Sequence, residues 1–402
     1  MEPKIRLKGF SGEWKTSVIE EVATFSKGRG YSKSDLRPEG NPIILYGRLY
    51  TNYSSVIDSV DTFASLQNGS VLSKGNEVII PGSGETPEDI AVASAVEQKG
   101  VILGGDLNVV TFNQEKIVPA FAAMSITNSK THYELSGYAQ GKTVVHLHNS
   151  SISKGHLSYP SIEEQNAIVS YVSSIDSLIQ STTKKIESLK QVKAASLQSM
   201  FPQEGETTPR VRFKEFDGEW NCIEFGSIIT ECLDKTTTED EDILLSSAID
   251  GVYLNSELFG HFRGKSNIGY RKLKKNMLIL SAQNLHLGNA NVNLRFEHGI
   301  VSPAYKIYYI HDCNPELLSH WIKREETKKF FLDATTAGAS ACRKNIVWED
   351  LYKQTLYLPK DELEQQKLAS YLTSLTNQIT LQTKRLEKLK QIKSACLDNM
   401  FV

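Results

Sequence analysis

Residues 164–201 return, without a gap, as residues 364–401, with 17 of 38 positions identical. The closest stretch reads KKIESLKQVKAASLQSMF in the first copy and KRLEKLKQIKSACLDNMF in the second. A long internal repeat dictates the plan of a fold before any other signal. A second repeat strengthens it: Pro3-Lys4-Ile5-Arg6-Leu7-Lys8-Gly9-Phe10-Ser11-Gly12-Glu13-Trp14 recurs as Pro209-Arg210-Val211-Arg212-Phe213-Lys214-Glu215-Phe216-Asp217-Gly218-Glu219-Trp220, class for class. Between these shared blocks lie two bodies, about 25–158 and 231–357, of similar size and without evident similarity. The layout is shared arm, variable body, shared helix, written twice.

The shared helices carry a heptad. Ile168, Val172, Ile175, Ile179, Thr182, Ile186, Leu189, Lys193, Ser196 and Met200 follow alternating steps of four and three. Leu368, Leu372, Leu375, Ile379, Gln382, Leu386, Leu389, Lys393, Cys396 and Met400 match them in the second copy. A period of 3.5 sustained this long marks a left-handed coiled coil, and a 38-residue helix extends roughly 57 Å at about 1.5 Å per residue. Two pseudo-repeats are expected to place these rods antiparallel about an approximate two-fold axis, with one body near each end. Thr182 with Gln382, and Lys193 with Lys393, are expected to face each other and set register. The polar, turn-rich stretch Pro202 to Pro209 reads as the link between halves.

Composition excludes some classes. The chain has 402 residues, 40% of them hydrophobic, 45 Lys+Arg against 47 Asp+Glu, and a formal net charge of −2. That is globular, and it does not suit a protein that coats polyanions along its whole surface. Five cysteines with no CxxC pair fit neither a disulfide scaffold nor a cysteine zinc site. No signal core and no apolar run of roughly 18–20 residues is present, so a cytoplasmic protein without a membrane span is expected.

The bodies read as mixed sheets with a few short helices, one expected from Pro315 to Leu332. Short β-branched or aromatic runs such as Val78-Ile79-Ile80 and Tyr305-Lys306-Ile307-Tyr308-Tyr309-Ile310 supply the strands. Residues 261–275 hold six Lys/Arg, no acid and interleaved aromatics, the pattern of a phosphate-tracking surface. The candidate DNA contacts are Arg29, Tyr31, Lys33, Tyr46, Arg48 and Lys142 in the first body. In the second they are Arg263, Lys265, Tyr270, Arg271, Lys272, Arg343 and Lys344. Arginine suits guanine and carboxamides suit adenine, but residue type alone does not say which base is read.

Catalytic chemistry is not in view. Residues 137–143 and 260–266 each place three residues between their glycines where a phosphate loop needs four. His146 and His148 share a strand face without a third metal ligand. No nucleophile elbow, nuclease-like acidic cluster or dinucleotide fingerprint is found.

Each shared helix is led by Pro and a Glu-Gln pair, Pro160 with Glu164-Gln165 and Pro359 with Glu364-Gln365, and closed by Met-Phe. This arrangement, with two different bodies between, resembles the specificity (S, or HsdS) subunit of type I restriction-modification systems over essentially the whole chain. Tyr46-Gly47-Arg48-Leu49-Tyr50-Thr51-Asn52-Tyr53 and Gly82-Ser83-Gly84-Glu85-Thr86 resemble one class of target recognition domain. Gly299-Ile300-Val301-Ser302-Pro303-Ala304-Tyr305 and Arg343-Lys344-Asn345-Ile346-Val347-Trp348 resemble another.

The resemblance implies an α+β fold: two mixed α/β target recognition domains separated by two long antiparallel coiled-coil helices, as a pseudo-two-fold internal repeat. The expected division is 1–158 and 209–357 for the recognition domains, 159–201 and 358–402 for the helices, and 202–208 for the linker. Each domain would read half of an asymmetric bipartite site on double-stranded DNA. The helices would set the gap and dock two copies of the modification subunit, which methylates adenine N6 after flipping the base. Restriction (motor-nuclease) subunits would complete the complex. No cofactor is expected in this chain; S-adenosylmethionine, ATP and Mg would reside in the partners, and the chain itself would not be an enzyme. Two rivals remain on the residues alone: a coiled-coil scaffold whose bodies bind proteins or glycans, and an ATP-dependent enzyme using the two glycine loops.

Overall fold

The computed structural model describes residues 2–259, 266–340 and 343–402. The chain forms two compact units, residues 1–183 with 385–402 and residues 184–384, so the division runs through both long helices, Ile162–Ser199 and Glu362–Met400.

In the first unit a five-stranded sheet runs in the order Ala23–Lys27, Leu107–Phe112, Glu77–Pro81, Ser94–Val96, Val56–Ile57. The first four strands are antiparallel to their neighbours and the last is parallel. Val78, Ile79 and Ile80 are fully buried, which explains why this central strand is a continuous apolar run rather than an alternating one. Two helices, Pro119–Asn128 and Lys130–Gly137, follow the sheet, and Phe121, Ala122, Met124 and Ile126 of the first fill the core. A smaller four-stranded sheet of Ile102–Leu103, Asn41–Ile44, Phe63–Ala64 and Leu36–Arg37 extends the body.

The second unit builds the same sheet from an unrelated sequence. Its order is Ile229–Cys232, Tyr305–Ile310, Leu278–Ser281, Ala290–Val292, all antiparallel. Two helices follow again, Pro315–Ile322 and Glu325–Asp333. Both first helices begin with Pro at an early position, where its missing N–H costs nothing. The single helix expected from Pro315 to Leu332 is therefore broken. Lys323 and Arg324 leave the helix, Lys323 Nζ donates to the carbonyls of Ile249 at 2.6 Å and Ala290 at 2.9 Å and to Asn291 Oδ1 at 2.6 Å, and Thr327 Oγ1 donates to Trp321 O at 2.6 Å. Tertiary acceptors for the lysine outweigh its helix propensity.

The repeated arm and the Glu-Gln pair explain each other. Arg6 donates from Nε and Nη2 to the two carboxylate oxygens of Glu164, both at 2.8 Å, and Arg212 does the same to Glu364 at 2.6 and 2.7 Å. Nη1 of each arginine then donates to the carbonyl of Gly12 or Gly218, at 2.6 Å in both copies. The glutamine turns to the body: Gln165 Oε1 accepts from Val118 N and Gln365 Oε1 from Asn314 N, each at 2.8 Å, at the residue preceding the helix Pro119–Asn128 or Pro315–Ile322. Two residue types thus lock arm, long helix and body together in each unit.

All ten heptad positions of each long helix are buried or half-buried. In the first unit Ile168, Val172 and Ile175 join Cys396, Met400 and Phe401 in one core, and Lys393 Nζ meets Asp176 Oδ1 at 2.6 Å. In the second, Met200 and Phe201 join Leu368 and Leu372, and Ser196 Oγ lies 3.3 Å from Tyr371 Oη. The start of one helix therefore packs against the end of the other, antiparallel, in each unit. The expected pairing of Lys193 with Lys393 is corrected accordingly. Lys393 faces Asp176, whereas Lys193 lies beside His320 and its ammonium is destabilised by burial.

Candidate nucleic-acid interface

In the first body three strand ends converge. Lys27 is opposite Asn108, and Leu107 is opposite Pro81, so the turns after Lys27, after Pro81 and before Leu107 lie at one end of the sheet. They meet so closely that a Cβ on Gly28 would stand 1.9 Å from Gly104 O, which only glycine tolerates. The buried Asn108 carboxamide brings a further segment to this end, donating to Leu147 O at 2.8 Å and Pro81 O at 3.2 Å.

Four of the six expected contacts sit exposed or half-exposed in these turns or in segments bound to them. Arg29 and Lys33 are exposed, and the Arg29 N–H is fixed to Leu103 O at 3.0 Å. Tyr46 is 40% exposed and meets Tyr50 edge to face at 6.4 Å. Tyr50 donates to Ser83 O at 2.7 Å, and burial pushes its phenol pKa up. Ser83 Oγ lies 2.9 Å from His146 Nδ1, and the His146 ring stacks parallel on His148 at 6.2 Å. Lys142 is exposed in the turn before His146. The other two are spent on structure. Arg48 donates to Asp61 Oδ1 at 2.7 Å, and the Tyr31 hydroxyl is engaged by Ser70 and Gln67. Among the described residues no group of three His, Cys, Asp or Glu is placed to hold a metal ion.

In the second body Arg263 and Lys265 lie outside the described residues. The rest of the basic stretch finds carboxylates from elsewhere in the chain: Arg271 lies 3.8 Å from Glu231, Lys272 pairs with Glu241, and Lys275 meets Glu297 at 2.5 Å. Glu231 also accepts from Lys306 at 2.9 Å, whose ammonium rests 4.4 Å from the centre of the Trp348 ring. Nε and Nη1 of Arg271 are buried without an acceptor among the described residues. Tyr270 is half-buried, its N–H donating to Thr236 Oγ1 at 2.9 Å. Arg343 and the half-buried Lys344 lie on the strand Arg343–Ile346, which pairs with Thr335–Ser340. The stretch that looked uniformly cationic in sequence is thus partly neutralised by residues distant along the chain.

Comparison with known proteins gives one family match, over part of the chain. Residues 11–191 match the type I restriction modification DNA specificity domain. Over that stretch, which is less than half of the chain, the sequence is similar to type I restriction-modification specificity domains. A type I restriction-modification S subunit from M. genitalium has the same fold, with a TM-score of 0.58 and 15% identity over 100% of this chain and 99% of that one. A chain from a structure of complex assembly and conformational transition in the type I R-M system gives a TM-score of 0.50 and 14% identity over 96% and 97%. No curated protein matches the chain in sequence. The matched stretch covers the first body and most of the first long helix, including Glu164 and Gln165, whose contacts recur at Glu364 and Gln365.

The matched model describes a DNA specificity domain, and the sheet-end turns of the first body bring exposed cations, aromatics and polar groups together. Sequence reading singled out Ser83 only within a motif and His148 only as a metal ligand, and it missed the exposed turn 65–69, which carries no charge signal and whose cue is its small and polar residues Ser65, Gln67, Asn68 and Gly69. Among the described residues no helix is long and apolar enough to cross a membrane.

Proposed function

We propose that this specificity subunit reads one half of an asymmetric bipartite DNA site with each body. The long helices set the gap and dock two modification subunits, and restriction subunits join the same complex in the cytoplasm. The observation that carries this reading is the sheet built twice: four strands in one order and two following helices recur, each anchored to a copy of the same helix by the same Arg-Glu-Gln contacts. A scaffold kept constant beneath different turns is what separate recognition of two unlike half-sites requires. The bodies correspond to 1–158 and 209–357, joined by the linker 202–208 and the helices 159–201 and 358–402. S-adenosylmethionine, ATP and Mg belong to the partner subunits, which methylate adenine N6.

The test is single-molecule methylome sequencing of a host carrying the complete system. An asymmetric, interrupted motif with methyladenine in both halves is expected. Absence of any motif, together with salt-insensitive DNA binding by the assembled complex, would return the chain to a scaffold that binds proteins or glycans.

A further inference from the structure

Tyr31 has φ of +61°, a conformation that a bulky residue holds only where its surroundings impose it. Its ring rests against the small core of Ile43, Ala64 and Ile102. Its hydroxyl lies 2.6 Å from Ser70 Oγ and 3.2 Å from Ser65 O and accepts the Gln67 N–H at 2.9 Å. One side chain therefore closes the turn 65–70 at both ends. The turn is tied on its flank as well, because Gln67 helps Ser32 hold the Asp35 carboxylate below its usual range.

Residues 65–69 are all exposed, including Leu66 at 54%. Gly69 has φ of +83°, and a Cβ there would stand 3.0 Å from Arg29 Nη1, so the Arg29 guanidinium lies against the turn where a side chain is missing. The Asn68 carboxamide has no partner among the described residues. A turn this constrained, with a cation beside it and an unspent carboxamide at its tip, loses little entropy when it meets a ligand.

We propose that residues 65–70 are a base-reading finger of the first body, with Asn68 and Arg29 presented to base edges and Tyr31 as the positioning residue. The inference rests on DNA reading by this chain. Carboxamides match the N6 and N7 edge of adenine and guanidinium the O6 and N7 edge of guanine, so the ligand is a purine edge in the major groove.

The complete system carries the test, with Asn68→Ala, Arg29→Ala and Tyr31→Phe compared by methylome sequencing and by competition between the cognate duplex and duplexes altered at one base pair. Asn68→Ala is expected to relax one position of one half-site, with about a tenfold loss of discrimination there and the other half-site unchanged. Tyr31→Phe keeps the ring and is expected to relax the same half-site while the melting temperature and non-specific DNA affinity stay unchanged. An unaltered motif and unaltered discrimination for both Asn68→Ala and Arg29→Ala reject the finger, leaving the wild-type motif as evidence for DNA reading. Equal weakening on every sequence by Arg29→Ala, with a salt slope shallower by about one, makes that residue a phosphate contact and also rejects the assignment. A wild-type system that writes no motif removes both readings.

Discussion

Arg212 grips Glu364 through two hydrogen bonds of 2.6 and 2.7 Å, and the carboxylate it holds is 2% exposed. The same fork joins Arg6 to Glu164, 3% exposed. Charge-assisted bidentate pairs of this kind are strong because both partners are satisfied at once, and removing one partner strands the other.

Replacing either arginine with Ala is therefore expected to cost about 3 kcal/mol. Arg6→Ala should be the worse of the two. Trp220 Nε1 still donates to Glu364 at 3.3 Å after loss of Arg212, whereas Trp14 Nε1 has no acceptor among the described residues. Differential scanning calorimetry of the full chain checks both the size and the order; unchanged melting of both variants would sink the argument.

His320 sets an acid limit. It is buried against Thr373 Oγ1 at 3.0 Å and beside Lys193, and burial first, then the lysine's charge, lowers its pKa to about 4. An unfolded histidine titrates at about 6.5, so the unfolded chain binds the extra proton as pH falls from about 6.5 towards 4. Stability contributed by neutral His320 is complete above that window and lost through it. His320→Gln should flatten the urea midpoint between pH 6.5 and 4, and a variant as acid-sensitive as the wild type would contradict the assignment.

Lys323 acts at the other side of neutrality. Burial lowers its pKa to about 8, below the roughly 10.4 of an unfolded lysine. The folded state holds fewer protons over this interval, so its stability rises as pH goes from 8 to 10.4 and is lowest below 8. Wild type minus Lys323→Met, measured by paired urea titrations, should grow over that range. A flat difference would mean the amine is more hydrated than its three oxygen partners suggest.

The helices as a ruler make a geometric prediction. Four residues inserted near Thr182 lengthen a helix by about 6 Å. At about 3.4 Å per base pair, the gap in the methylated motif should widen by one or two base pairs while both half-sites keep their sequence. Methylome sequencing that finds altered half-sites or an unchanged gap would refute the ruler.

Much of the scaffold was legible in the chain because it is written twice. Identity at Glu164 and Glu364, at Gln165 and Gln365, and the shared Arg of the arms marked the repeat, although not that the arginine would take the glutamate and the glutamine the body. The basic stretch was read less well. Arg271, Lys272 and Lys275 have no acidic neighbours in sequence, yet each meets a carboxylate from another segment. Charge pairing is set by distance in space, which a window of sequence does not contain.

The sequence by itself determined the two halves and the heptad seam, because repetition and a 3.5-residue period are local properties of the chain. Only the tertiary structure decided that the dissimilar bodies share one sheet, that Lys393 faces Asp176 rather than a like residue, and that Tyr31 holds the turn 65–70. Strand order is specified by backbone hydrogen bonds and by which faces are buried, and many sequences satisfy both. The turns at the strand ends are released from that requirement, so their residues are chosen by what they touch.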